Sequence, residues 1–277
     1  MKAESLRDRA VRELSAQEFS WICRFLYQRT GIALKDGKQA MVMGRLEKRL
    51  RRLQLMHYEQ YFSLLGRPGY EEETRLALDL LTTNETYFFR EPRHFEFLRE
   101  VLAKVRGTNP FRVWSAASSS GEEAYTTAMV IADDGRLSRW EITGTDISER
   151  MLEKARSGLY PMQQAERIPQ GLLKKFCLRG KAEYEDFFMI DPVLKQRVNF
   201  LSLNLIDPLP ESLGVFDLIF LRNVMIYFDV PTKQKLIRQM LPHLKPGGHL
   251  LVSHSETLSG ISNDLKMLFP SVYQREA

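Results

Sequence analysis

Up to about residue 82 the apolar positions recur at helical spacing, and no strand pattern is visible. Ser15-Ala16-Gln17-Glu18 reads as a capping box ahead of Phe19, Ile22, Phe25 and Leu26, and Gly31 supplies a stop signal. Further helices are predicted over Lys38 to Leu53, Tyr58 to Leu65 and Glu71 to Leu81, with Arg67-Pro68-Gly69 as the break between the last two. This part is expected to be a small all-α domain over residues 1–82.

Beyond that point the pattern alternates. Strands are predicted at Phe111–Ala116, Trp140–Thr145, Val198–Leu203, Phe216–Leu221 and His249–Ser253. Helices are predicted at Glu122–Ala132, Glu149–Arg156 and Thr232–Leu244, with Lys245-Pro246-Gly247-Gly248 as a turn. Phe216–Leu221 is nearly continuously apolar, as expected of a strand covered on both faces. Strands separated by helices imply an α/β fold with a Rossmann-like parallel sheet over residues 83–277. Residues 160–197 interrupt the alternation and read as a small β insertion, with Phe187–Ile190 as one strand.

Composition narrows the class. Hydrophobic residues make up 44% and charged residues 27%, so an ordinary globular core is expected. No apolar run approaches membrane-spanning length, and Met1–Leu14 is polar throughout, so neither membrane insertion nor secretion is expected. Cys23 and Cys177 are the only cysteines and sit in no metal-binding pattern; two thiols in a reducing cytoplasm, with no metal site, is the expectation. The net charge of +5 is uneven: Met1–Leu55 carries 13 Lys/Arg against 6 Asp/Glu, a net of +7, which leaves −2 for the rest. A dedicated surface for an acidic partner follows.

The candidate chemistry lies where predicted strands end. Ala116-Ala117-Ser118-Ser119-Ser120-Gly121 joins the first strand to a helix, at the edge where doubly wound sheets bind ligands. Its single glycine does not make the GxGxxG fingerprint, so a cofactor without a pyrophosphate suits it better than a dinucleotide. Asp146 ends the second strand, where a carboxylate can accept both hydroxyls of a ribose; helix N-capping is the alternative, and Ser148 could fill that role. Glu122 and Glu123 open the next helix, where either suits the helix dipole or a cationic cofactor group. Arg90 ends the polar and aromatic stretch Thr82–Arg90 and could pair with a carboxylate, while Arg222-Asn223 ends the fourth strand. On the second helix Arg45, Lys48, Arg49 and Arg52 share one face at spacings i, i+3, i+4 and i+7.

Together these segments resemble the CheR-type chemotaxis-receptor methyltransferases. The resemblance is carried by Thr83-Asn84-Glu85-Thr86-x-Phe88-Phe89-Arg90, Trp114-Ser115-Ala116-Ala117-x-x-x-Gly121-Glu122-Glu123, Thr145-Asp146-Ile147 and Asn204-Leu205. It continues through Arg222-Asn223-Val224-Met225-Ile226-Tyr227-Phe228-Asp229, Lys245-Pro246-x-Gly248 and His254-Ser255-Glu256. It implies a protein-glutamate O-methyltransferase using S-adenosylmethionine, with S-adenosylhomocysteine as product. Asn84, Thr86, Arg90, Glu123, Asp146, Asn204, Leu205, Arg222 and Asn223 would hold the cofactor. Tyr227 and Arg90 are assigned to catalysis, with Tyr227 near the transferred methyl group. No role is assigned to His254 and Glu256, which read as strand-end packing. Arg45, Lys48, Arg49 and Arg52 would meet the acidic cytoplasmic helices of the receptor. Family members that bind a receptor's C-terminal tether pentapeptide carry a glycine-rich loop in the insertion. Here Arg179–Asp186 has one glycine and three acidic residues, so no tether binding is expected.

Two rival classes remain. A nucleic-acid methyltransferase would explain the basic face, but the Asn/Asp-Pro-Pro-aromatic turn that clamps a flipped base is absent, so no nucleic-acid partner is expected. A non-catalytic cofactor sensor would be expected to lose Arg90, Tyr227 and the basic helix, and all are present.

Overall fold

A computed structural model describes residues 11–106 and 109–276 of the protein. Most of the polar stretch Met1–Leu14 therefore lies outside the described residues. The chain divides into two compact units after Thr83.

The first unit is helical: α1 (Ala16–Thr30), α2 (Gln39–Arg52), α3 (Tyr58–Phe62) and α4 (Glu71–Leu81). The capping box forms. Ser15 Oγ accepts from the Glu18 N–H at 3.3 Å, and the Glu18 carboxylate accepts from the Ser15 N–H at 2.8 Å. Gly31 ends α1 in the left-handed region at φ 74°. The apolar stripes of α1 and α2 converge in one core, where Ile22, Leu26, Val42, Leu46, Leu50 and Tyr61 are fully buried. Trp21 stacks on both Phe25 and Phe62, with centroids 5.1 and 5.0 Å away. Burying each large aliphatic side chain contributes roughly 1.5–3 kcal/mol before conformational entropy is counted. α3 stops at Phe62, shorter than expected, because turns occupy the residues up to the Arg67–Gly69 break.

The second unit opens with α5 (Arg93–Lys104), a helix absent from the sequence reading, followed by β1 (Phe111–Ala116), α6 (Glu122–Asp134), β2 (Trp140–Asp146) and α7 (Glu149–Ser157). The insertion contains β3 (Leu159–Pro161), α8 (Gln170–Phe176), β4 (Cys177–Arg179), β5 (Phe187–Ile190) and α9 (Pro192–Lys195). The main alternation resumes with β6 (Val198–Ser202), β7 (Phe216–Leu221), α10 (Val230–Met240) and β8 (Leu244–Val252), and ends with β9 (Leu265–Phe269) and β10 (Val272–Arg275).

Strands order as β6-β2-β1-β7-β8-β10-β9. The first five are parallel, while β10 runs antiparallel to β8 and β9. The chain leaves β1 toward β2 and β6, then returns to the other side of β1 with β7. That reversal is the topological switch point, and its crevice lies at the carboxyl ends of β1 and β7. The expected turn at Lys245–Gly248 is instead an irregular start to β8, with a register shift against Phe216–Leu218. A Cβ on Gly248 would fall 2.8 Å from the Lys245 carbonyl oxygen, so the chain can fold back on itself there only with glycine.

The insertion is a separate antiparallel sheet of order β3-β5-β4. Its inner residues Tyr160, Phe188 and Ile190 join the main core. The link from β4 to β5 reaches a positive φ without glycine: Ala182 has φ 53°. Gly180 serves close approach instead, because a Cβ there would lie 1.8 Å from the Tyr184 carbonyl oxygen. Lack of glycine at positive φ is thus no argument against a tight turn here. No helix among the described residues is long and apolar enough to cross a membrane.

Candidate functional site

Asp146 is the last residue of β2 and only 7% exposed. Its Oδ2 accepts from the Ser119 N–H at 2.8 Å and its Oδ1 from the Ser148 N–H at 2.9 Å. The N-cap of α7 is Ser148, whose hydroxyl accepts from the Met151 N–H at 3.2 Å. Capping therefore does not account for Asp146. The carboxylate thus fastens the loop after β1 to the end of β2 through the two backbone N–H groups. The loop it holds, Ala117–Gly121, contains Ala117 at φ 61° and Ser119 at φ 49°. Ser119 Oγ donates to the Asn84 carbonyl at 3.1 Å, and the Leu203 N–H donates to the Asp146 carbonyl at 3.0 Å. These bonds draw Asn84, the loop after β1, Asp146 and the Asn204–Leu205 segment to one edge of the sheet. Leu205 is buried and Asn204 half-buried.

A second cluster surrounds Arg222, just past β7. Its side chain is 2% exposed, with Nη1 on Glu123 at 2.9 Å and Nη2 on Glu91 at 3.2 Å. Arg222 Nη2 also donates to the Arg90 carbonyl. Glu123 accepts from Ser115 Oγ at 2.6 Å. Burial pushes the Glu123 carboxyl above its ordinary value, and the guanidinium opposes that shift. The preceding residue, Glu122, faces elsewhere: it is buried, accepts from Ser120 Oγ at 2.8 and 2.9 Å, and bonds Gln164 of the insertion. Arg90 is half-buried; its Nη1 donates to the Glu85 carbonyl at 2.9 Å, and its guanidinium lies 5.5 Å from the Tyr87 ring centroid. Thr86 is half-buried in the same segment. Asn223 adopts φ 59°, and a short 3₁₀ turn, Met225–Tyr227, carries the half-buried Tyr227.

Glu91, His94 and His254 bring one ligand-type atom each within 4.8 Å of one another. A cation is disfavoured there because Arg222 already occupies the Glu91 carboxylate. His94 Nε2 is engaged with Ser271 Oγ at 2.8 Å. Burial first, and Arg222 second, push His94 down to about 3, which keeps it neutral.

In the helical unit the four basic residues of α2 separate into two pairs. Arg45 caps the end of α4, with Nη1 donating to the Leu81 and Thr82 carbonyls at 2.8 and 2.9 Å. Arg49 forms a two-pronged pair with Glu73, its Nε on Oε1 at 3.0 Å, and the Tyr61 hydroxyl donates to the same carboxylate at 2.7 Å. Burial alone would raise Glu73, but the Arg49 and Tyr61 hydrogen bonds outweigh it and hold the carboxyl below its ordinary value. Lys48 and Arg52 are exposed. All four lie on α2, but Arg45 and Arg49 are half-buried and bonded within the unit, so the expected four-residue basic face presents only Lys48 and Arg52 as exposed.

Residues 17–82 match the family described as "CheR methyltransferase, all-alpha domain", and residues 84–273 match "CheR methyltransferase, SAM binding domain". The chain belongs to the CheR methyltransferase family. Relatives in it include the chemotaxis protein methyltransferase of Salmonella typhimurium, 39% identical over 262 residues that cover 94% of this chain and 90% of that protein. The Escherichia coli protein of the same description is 39% identical over 94% of this chain and 91% of its own length. The Borreliella burgdorferi one is 34% identical, covering 95% of each. As a CheR methyltransferase the chain uses S-adenosylmethionine, and its activity belongs to chemotaxis.

The residues present suit that cofactor. Asp146 places a buried carboxylate at the sheet edge. In the adjoining loop the buried Ser118 Oγ has no hydrogen-bond partner among the described residues. The one glycine of that loop is required by packing: at φ 93°, a Cβ on Gly121 would lie 2.9 Å from Ala155 Cβ. The loop is thus no phosphate cradle, as suits a cofactor without a pyrophosphate. Glu91 escaped the sequence reading, as did the anchoring hydrogen bonds of Ser115 and Ser119. An acid immediately after the Phe88-Phe89-Arg90 segment was the available sign for Glu91.

Proposed function

We propose that this CheR methyltransferase transfers methyl groups to glutamate side chains in the cytoplasmic helical domains of chemoreceptors, giving methyl esters for sensory adaptation. Bound S-adenosylmethionine supplies a methyl group activated by its sulfonium. In this reading Asp146 accepts the ribose hydroxyls and Arg90 pairs with the cofactor's carboxylate. Asn84, Thr86, Asn204, Leu205 and Asn223 complete the cofactor contacts, with Glu123 and Arg222, paired to one another, beside them. Tyr227 orients the reacting end. A glutamate with a reference pKa of about 4.3 is already ionised at neutral pH and needs no general base. The chain therefore has to align the carboxylate and exclude water, because the transfer removes two opposite charges.

The observation that supports an acidic substrate is the exposed pair Lys48 and Arg52 on the helical unit, within the segment of net charge +7. We further infer that the enzyme acts without a receptor tether peptide. Glu183, Glu185 and Asp186 are all exposed on the insertion and would repel a terminal carboxylate. Labelled methyl transfer to purified receptor cytoplasmic fragments, with and without the terminal pentapeptide and beside an RNA control, tests both points. Base-labile label on glutamates of acidic helices, at equal rates for both fragments, is expected. Label on RNA alone would overturn the substrate reading, and dependence on the pentapeptide would overturn the second inference.

A further inference from the structure

Glu256 lies in the loop after β8, and its carboxylate is aimed at backbone. Oε2 accepts from the Asn223 N–H at 3.0 Å and the Ser253 N–H at 2.9 Å, and Oε1 accepts from the Ile226 N–H at 3.0 Å. Asn223 is left-handed and Val224 right-handed, a sequence of conformations that turns successive N–H groups inward to form an anion-binding concavity. An intramolecular carboxylate fills it. The residue just before this nest, Arg222, is held by Glu91 and Glu123. Glu91 in turn accepts from the His254 N–H at 3.3 Å. The loop after β7 is therefore fastened from both sides, by its guanidinium and by its amides.

We propose that Glu256 is a positioning residue for methyl transfer: by fixing the Asn223 and Ile226 amides it sets where the Asn223 and Tyr227 side chains stand. The role rests on the assignment of those two residues to the cofactor and the reacting end. Strand-end packing alone would accept glutamine, which has the same shape. The nest does not, because glutamine has one acceptor oxygen and its amide nitrogen would confront an N–H donor. One bonded amide belongs to Asn223 at positive φ, a region asparagine enters more readily than other non-glycine residues, and the Glu256 carboxylate holds that N–H in place.

The test uses the full-length protein with Glu256→Gln. Calorimetric affinity for S-adenosylhomocysteine, kcat and KM for receptor fragments, the unfolding midpoint and amide hydrogen exchange at residues 223–227 are measured. Cofactor affinity and kcat should each fall about tenfold, the effect of losing one charge-assisted hydrogen bond, while KM for receptor holds. Exchange at Asn223 and Ile226 should accelerate. Affinity and kcat within twofold of wild type would overturn the role, whatever happens to the midpoint. Should Glu256→Gln fail to fold, Glu256→Asp decides. It keeps the charge but is one methylene too short to reach both sets of amides, so wild-type affinity and kcat would again overturn the proposal. Asn223→Ala, measured in parallel, separates the layers. If it loses affinity while Glu256→Gln does not, only the positioning role fails; if it is itself unaffected, the site assignment beneath that role fails.

Discussion

Replacing Arg222 with methionine should destabilise the methyltransferase unit far more than losing a surface ion pair. Arg222 is 2% exposed at the side chain, and its partners Glu91 and Glu123 are 15% and 14% exposed. An exposed pair would be worth about 0–1 kcal/mol. Removing the shared partner of two enclosed carboxylates leaves them uncompensated, at about 3–5 kcal/mol. For a domain of this size each kcal/mol moves the midpoint by about 2–4 °C, so a fall of roughly 6–20 °C is expected. Adding Glu123→Gln removes one stranded charge, so the double variant should recover part of the loss, with a coupling of about 1–3 kcal/mol.

The assay follows unfolding by tryptophan fluorescence in a Trp21→Phe background. The remaining Trp114 and Trp140 then report only on β1 and β2. The pH dependence supplies a second check. Burial already raises Glu123 above its ordinary 4.5, and without Arg222 it should rise further. The folded variant then binds a proton that the unfolded chain releases at pH values above 4.5, so its stability falls as pH rises through that window. The gap to wild type should narrow between pH 7.5 and 5. A loss under 1 kcal/mol, or a gap independent of pH, would refute the account of this cluster.

Asp146→Asn preserves volume but confronts one of the Ser119 or Ser148 amides with an N–H₂ group. Affinity for S-adenosylhomocysteine should fall by about 1.5–3 kcal/mol per charge-assisted bond lost, and wild-type affinity by calorimetry would remove Asp146 from the ribose site. Lys48→Glu with Arg52→Glu should slow receptor methylation about tenfold and reduce its salt sensitivity, since exposed charges are screened over about 8 Å at physiological ionic strength. Cofactor affinity should hold in that variant, whereas Arg49→Glu should lower the unfolding midpoint through its clash with Glu73; receptor methylation unmoved by the first pair would return α2 to ordinary solvated surface.

The parts of this fold that were legible in the sequence are those specified locally. Ser15 and Glu18 announce the start of α1 because both partners of the capping box lie within one turn. β1 and β7 appear at their true bounds because strands at the sheet centre are covered on both faces, which leaves them mostly apolar, with Arg112 and Asp217 each second in its strand and only half-buried. α5 was readable and missed: Phe95, Leu98 and Leu102 recur at helical spacing after Pro92. β9 offered less, since Lys266–Phe269 is exposed and its apolar residues follow no buried alternation. Its pairing is decided by β10, which is decided in turn by β8. The same distinction governs the site. Asp146 could be singled out as a candidate because strand ends carry ligands in this topology, and the structure puts it, buried, at such an end. That Arg49 would be taken by Glu73, 24 residues away, could not, because helical periodicity says which residues share a face and not what that face meets.

Strain shows why so much of the site stayed out of view. Among the described non-glycine residues, eight have positive φ, and five of them, Phe89, Glu91, Ala117, Ser119 and Asn223, sit in the three loops that carry the candidate site. Such conformations cost about 1–3 kcal/mol each and persist where neighbours over-determine them. The neighbours are identifiable. Thr126 Oγ1 accepts from the Phe89 N–H at 3.2 Å, Asp146 from the Ser119 N–H, and Glu256 from the Asn223 N–H, while Arg222 binds the Glu91 side chain. Four of the five strained residues are thus anchored by a side chain from another segment. Three of those anchors, Asp146, Glu256 and Arg222, are ionisable groups on enclosed backbone or enclosed partners. A charged residue near this site can therefore matter to methyl transfer through the backbone it holds, without touching cofactor or substrate. In the proposed site Asp146 would carry both roles on one carboxylate, so its removal should disturb the loop after β1 even in the absence of cofactor, as a drop in midpoint that added S-adenosylhomocysteine does not fully restore.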